Sequence, residues 1–248
     1  KLVPGMAVAY VVAALTVLAL NAEHIGDAFA LIFRAAFGLE QAAGGVAGYG
    51  VLAAIRAGVA RGLFSNEAGQ GSTPIAHAAA KTESPVRQGE IAMIGVFIDT
   101  IVICTMTALV ILVVDGSYAS QGGTAVVEYA WQSTDLQASA ITTAAFAQGI
   151  VGGQWIVLAA QFLFAFTTII GWCYYGEQCA GYLFGDRAAV PFRYLWVVFV
   201  FIGAVITHVD GLWLLGDVTN SAMVFPNVIA IVALSGVVVA MAREADRK

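Results

Sequence analysis

These 248 residues predict an all-α protein of the lipid bilayer, and three observations carry that prediction. Hydrophobic residues make up 60% of the chain and charged residues 11%, where a soluble domain carries about 25% charged. Mean hydropathy is +0.86. The apolar residues also fall in uncharged runs at 2–22, 154–176 and 218–242, with a further run at 91–114 interrupted only by Asp99. Each is near the ~20 residues that a helix needs to cross ~30 Å of hydrocarbon.

The elements follow in order. Residues 2–22 read as a first span, and Asn21 to His24 as its exit into water. Residues 25–38 are too short to span. They place Ala28, Leu31, Ile32, Ala35 and Ala36 at helical spacing opposite Asp27 and Arg34, the pattern of an interfacial helix. Residues 45–80 would measure ~54 Å as one straight helix, so a second span at 47–80 must be broken. Residues 81–88 form a polar turn and 89–114 a third span. The long connection 115–153 holds two helical patterns, about 125–131 and 138–148, and such a structured loop reads as a lid or gate. Residues 154–175 span again, 176–189 turn, and 190–207 make a short fifth span with Arg193 placed to snorkel. A turn at 208–211 leads to a sixth span, 212–242, with a kink expected at Pro226.

Six spans put Lys1, Lys81, Arg87, Arg187, Arg193, Arg243, Arg247 and Lys248 on one side and Arg34 alone in the opposite loops. The positive-inside bias makes that side, with the C-terminus, cytoplasmic. The net charge of −5 says little about partners in such a chain, and no nucleic-acid partner is expected. Cys104, Cys173 and Cys179 fall within or at the ends of spans, so neither a disulfide framework nor a metal cluster is expected. The chain opens at Lys1 almost directly in a span, without a basic leader, and is expected to be part of a longer one.

The break in the second span is the chemically informative stretch: Arg61-Gly-Leu-Phe-Ser-Asn-Glu-Ala-Gly-Gln-Gly-Ser-Thr-Pro74 is polar and glycine-rich inside apolar sequence. Gly69 and Gly71 permit backbone angles that other residues avoid, and Pro74 lacks an N–H. Backbone freed at membrane depth is tolerated only against protein or a water-filled cavity, so an opened helix implies a site. Its ends present N–H and C=O groups suited to a carboxylate and to a cation or ammonium. With Ser65, Asn66 and Gln70 beside them, these groups suit a zwitterion with a small side chain.

Residues 58–80 followed by Pro85-Val-Arg-Gln-Gly89, then Phe97-Ile-Asp-Thr-Ile-Val-Ile-Cys-Thr-Met-Thr-Ala-Leu-Val110 and Thr168-Ile-Ile-Gly-Trp-Cys-Tyr-Tyr-Gly-Glu177, resemble the alanine or glycine:cation symporter family. The resemblance covers essentially the whole chain. It implies a LeuT-like inverted-repeat transporter of the amino acid-polyamine-cation type, of which this chain supplies core helices five to ten. Core helices one to four, including the first broken helix with half of the site, are expected to lie outside it. The resemblance implies symport of a small neutral amino acid, alanine or glycine, across the cell membrane with sodium as coupling ion and no other cofactor. Sodium versus proton and alanine versus glycine stay open.

On that resemblance Phe64, Ser65, Asn66, Gly69, Gln70, Gly71 and Trp172 are candidate substrate-binding residues. Thr167 and Thr168, with a carbonyl such as that of Phe164, are candidate sodium ligands, since a hard cation prefers oxygen. Glu67 and Asp99 read as structural acids, Glu67 within reach of Arg61 and Asp99 beside threonines of its own helix. His77 reads as a satisfied helix-end histidine. Asp217, Thr219 and Asn220 read most simply as a helix N-cap, with an outer gate to Arg56 or Arg61 as the alternative. Paired catalytic acids, a metal cluster or a Ser-His arrangement cannot be placed on facing spans, so an enzyme is not expected. A proton-coupled transporter of the same fold, or a channel-like or accessory membrane module, is the remaining alternative.

Overall fold

The computed structural model describes residues 2–37, 47–67, 69–82, 84–120, 125–132, 136, 139–206 and 210–245. It is predominantly helical. Among the described residues five helical stretches are long and apolar enough to cross a membrane: Val3–Leu20, Pro85–Val113, Gly153–Phe184, Asp186–Val205 and Gly211–Ala245. The expected second span is not among them, because its first half carries Arg56 and Arg61 and its second half is short. Three expectations concern residues outside the described set: the placement of Lys1, the turn at 208–209 and the charged tail from 246.

The helices are α1 (Leu2–Leu20), α2 (Ile25–Ala36), α3 (Ala47–Asn66), α4 (Thr73–Ala78), α5 (Pro85–Phe97), α6 (Thr105–Val113), α7 (Ser139–Gly149), α8 (Gly153–Phe184), α9 (Ala189–Val205) and α10 (Asp210–Ala245). A π-helical segment, Ile98–Cys104, joins α5 to α6. The long connection is not helical where its first pattern suggested. Asp115–Ser120 (β1) pairs antiparallel with Ala125–Tyr129 (β2), Tyr118 opposite Val127. Val126, Val127 and Tyr129 are strand-favouring residue types, so a short apolar repeat was misread as helical. The second pattern is α7.

Two compact units divide the chain. The first comprises Lys1–Ala57 and Thr100–Phe166, the second Gly58–Asp99 and Thr167–Lys248. In the first unit Val17, Val110, Val113, Phe146 and Val157 are the largest buried side chains, packed with Ala13, Ala14 and Ala145. Small residues let these helices approach closely, as membrane helices require. A Cβ on Gly149 would lie 2.8 Å from Val17 Cγ1. The Tyr10 ring stacks on Phe146 at 5.5 Å, and its hydroxyl lies 2.7 Å from Thr107 Oγ1. Helix α2 contributes Ala28 to the same core.

In the second unit the balance inverts. Among its described residues the only buried ones are polar, Gln70 and Ser72 on the interruption after α3, while α9 and α10 present apolar side chains outward along their length. α8 does not end at Tyr175, as the expected turn at 176–189 required. It runs to Phe184, where Gly185 at φ 86° stops it with its N–H bonded to Gly181 O. At 32 residues it measures ~48 Å. Its second half holds α9: Trp196 Nε1 donates to Ile169 O at 3.1 Å, and Arg193 donates to Glu177. α10 remains helical through Pro226, whose missing N–H leaves the Ala222 carbonyl without its usual i+4 donor.

Candidate functional site

The site is built where α3 stops. Helical hydrogen bonding ceases at Asn66 and resumes at Thr73, and within that interval Glu67 (φ 53°), Gly69 (φ 79°) and Gly71 (φ 82°) adopt left-handed backbone. Glu67 is the non-glycine residue with positive φ among the described residues, a conformation that costs a side-chain-bearing residue ~1–2 kcal/mol. It is held there by its own carboxylate, which accepts from Ser72 Oγ at 2.7 Å and Thr73 Oγ1 at 3.4 Å.

Side chains replace the lost backbone pairing. Gln70 Nε2 donates to Leu63 O at 2.9 Å, capping the end of α3, and Gln70 N donates to Glu67 O. The Gly69 carbonyl accepts from Asn227 Nδ2 of α10 at 2.9 Å. Gln70 is only 4% exposed, and its Oε1 is buried without a hydrogen-bond partner among the described residues. A buried acceptor left open is costly, which marks it as a place for a donor or cation.

Beside the interruption lies a cavity of about 250 Å³ lined by Ser65, Asn66, Glu67, Thr73, His77, Asp99 and Tyr175, with Ala92, Gly95 and Val96 as its apolar wall. The π-helical segment re-aims its residues relative to an α-helix, and Asp99 sits in it, accepting from Ser65 Oγ at 2.7 Å. This partner lies on α3, whereas the sequence pointed only to threonines of Asp99's own helix. A second cavity of about 600 Å³ shares Thr73, His77 and Ala92 with the first and continues along Thr82, Pro85, Gln88 and Gly89. His77 therefore borders both. Gln88 Nε2 lies 2.6 Å from its Nδ1, so the amide donates to the ring, in keeping with a satisfied helix-end histidine. The start of α5 is set by Ser84, whose hydroxyl accepts from Arg87 N, with Pro85 in the first turn.

One turn before Ser65, Arg61 turns away from Glu67. Its Nη2 donates to Asp217 at 2.9 and 3.2 Å, and its guanidinium lies 4.8 Å from the Trp213 ring centroid, cation over π face. Phe64 packs on the same indole at 5.5 Å. Asp217 is thus no N-cap, since α10 begins at Asp210. Thr219 bonds back to Leu215 O and Gly216 O of its own helix.

Of the sequence-nominated substrate residues, Ser65 and Asn66 line the smaller cavity. Gly69, Gln70 and Gly71 form the turn adjoining them. Phe64 faces Trp213, and Trp172 reaches the cavity wall only through Tyr175, against whose ring it packs edge-on at 5.8 Å. Phe164, Thr167 and Thr168 lie on α8, which is continuous there, so a carbonyl offered by Phe164 is a helical one; Thr167 is half-buried and Thr168 exposed. Among the described residues no group of three or more His, Cys, Asp or Glu is placed to hold a metal. Asn227, Gln88, Trp213 and the participation of Tyr175 were missed. A polar Asn227 beside Pro226 in an apolar span is the one signal that pointed to its role.

Comparison with known proteins matches all of residues 1–248 to the sodium:alanine symporter family. An uncharacterised transporter of Haemophilus influenzae is 44% identical over 96% of the chain and 49% of its own length. The sodium/alanine symporter AgcS of Methanococcus maripaludis is 43% identical over 96% of the chain and 49% of its own. A probable sodium/glutamine symporter, GlnT, of Bacillus subtilis is 36% identical over 100% of the chain and 48% of its own. The chain spans about half the length of the curated relatives it matches.

Proposed function

The chain belongs to the sodium:alanine symporter family, and on that premise we propose that it forms the C-terminal portion of a secondary symporter that moves a small neutral amino acid, alanine or glycine, with sodium across the cell membrane. The observation that carries this reading is the opened helix itself. A left-handed polar turn at Glu67, Gly69 and Gly71 adjoins a cavity of about 250 Å³.

In this reading Ser65 and Asn66 offer uncharged donors and acceptors to the zwitterion, with Gly69, Gln70 and Gly71 shaping the turn. The open Gln70 Oε1 supports an ammonium or cation at that turn. Phe64 and Trp172 limit side-chain size from behind, Trp172 through Tyr175. Sodium takes the hydroxyls of Thr167 and Thr168 with the Phe164 carbonyl. The fold is LeuT-like, with core helices five to ten here and the partner half of the site on the preceding helices. The C-terminus faces the cytoplasm, which also places the His77–Gln88 cavity on that side.

Sodium-dependent counterflow of labelled alanine into liposomes holding the intact transporter tests the reading. Saturable exchange that requires sodium and is competed by glycine but not glutamine is expected. Exchange indifferent to sodium but driven by a pH gradient overturns the coupling ion, and flux that never saturates overturns the carrier mechanism.

A further inference from the structure

The opened turn needs partners for the carbonyls that helix formation would have satisfied, because each one left bare at membrane depth is costly. Leu63 O is served by Gln70 and Glu67 O by Gln70 N, both within the turn's own neighbourhood in sequence. Gly69 O is different. Its donor is Asn227 Nδ2, 158 residues away on α10. The same side chain touches the turn at a second point: a Cβ on Gly71 would lie 2.9 Å from Asn227 Oδ1 and 3.1 Å from its Cγ. Asn227 therefore bridges the backbone of Gly69 and the open face of Gly71, with both glycines in left-handed conformation. It does not line the cavity.

We infer that Asn227 is a positioning residue for ligand binding, holding the opened turn in its binding-competent shape from α10 without touching the ligand. The inference rests on the reading of the opened helix as the amino-acid site. Without the Asn227 bond, Gly69 and Gly71 are free to explore the wide backbone range open to glycine, and the competent shape becomes one of several. Apparent affinity then falls by the competent fraction, while a saturating ligand still draws the turn into place. A net hydrogen bond of this kind is worth a factor of about five to ten in an equilibrium constant.

The test is alanine counterflow with the intact transporter, comparing Asn227→Ala and Asn227→Leu with the unsubstituted protein and normalising to correctly assembled protein. Asn227→Ala is expected to raise the half-saturating alanine concentration about fivefold with the maximal rate per molecule held within twofold. Asn227→Leu, which keeps the bulk and excludes water from Gly69 O, is expected to raise it about tenfold or more. It also stands in should the smaller side chain impair assembly. An unchanged half-saturation, or a loss confined to the maximal rate, overturns the inference. If the unsubstituted protein shows no saturable alanine exchange, the reading of the site fails instead, and the two failures are distinct.

Discussion

Replacing Gly71 by alanine perturbs the opened turn at its tightest point. At φ 82° a residue with a Cβ costs ~1–2 kcal/mol. The added methyl would lie 2.9 Å from Asn227 Oδ1 and 3.1 Å from Cγ, closer than such atoms pack, so the Asn227 amide must move and its bond to Gly69 O is lost, at a further ~1 kcal/mol. Together these amount to ~2–3 kcal/mol, a drop in ligand affinity of roughly 30- to 150-fold at ~1.4 kcal/mol per factor of ten. The decisive measurement is a double-mutant cycle by equilibrium binding of labelled alanine. In the Gly71→Ala, Asn227→Ala double variant the bond is already gone, so its affinity should match that of Gly71→Ala alone, ~1 kcal/mol less than the sum of the singles. Strict additivity, or a harmless Gly71→Ala, would refute the reasoning.

Five further outcomes are expected. Ser65→Ala removes the hydroxyl that donates to Asp99 at 2.7 Å; a hydrogen bond to a charged group is worth ~1.5–3 kcal/mol, so alanine affinity should fall about tenfold or more, and adding Asp99→Asn should cost little beyond that. Asp217→Asn should reduce transport less than about fivefold, since the Arg61 pair is half exposed and such pairs contribute ~0–1 kcal/mol. Arg61→Ala should cost more than Asp217→Asn, because it also removes the cation from the Trp213 face. Gly176→Val drives a Cβ into the Phe192 ring at the α8–α9 contact; overpacking costs ~1–3 kcal/mol, read as a lower thermal midpoint that Phe192→Ala restores. Thr168→Ala should raise the half-saturating sodium concentration while leaving alanine affinity at saturating sodium unchanged; unaltered sodium dependence moves the ion site elsewhere.

Composition and run length were enough to indicate a helical membrane protein and the approximate place of five membrane-length helices, though not of the second expected span, 47–80, because crossing hydrocarbon imposes a length and a lack of charge that leave little choice. The same arithmetic required a break within 45–80, the glycine-rich run put it at residues 65–72, and the helix is interrupted between Asn66 and Thr73. Local cues failed where two readings were locally equal. The segment 125–131 was read as helical although Ala125–Tyr129 forms β2 and only a 3-10 turn, Ala130–Gln132, follows it, and α8 passed through Gly176 where a turn was expected. What only the tertiary structure decided is which polar groups meet. Glu67 and Asp217 were both open to Arg61 by spacing, and the fold chose Asp217, leaving Glu67 to the hydroxyls of Ser72 and Thr73. Ser65 found Asp99, and Gly69 found Asn227 across 158 residues. Periodicity reports which face of a helix is apolar, whereas a hydrogen bond between distant elements depends on distances of a few tenths of an ångström, which packing alone sets.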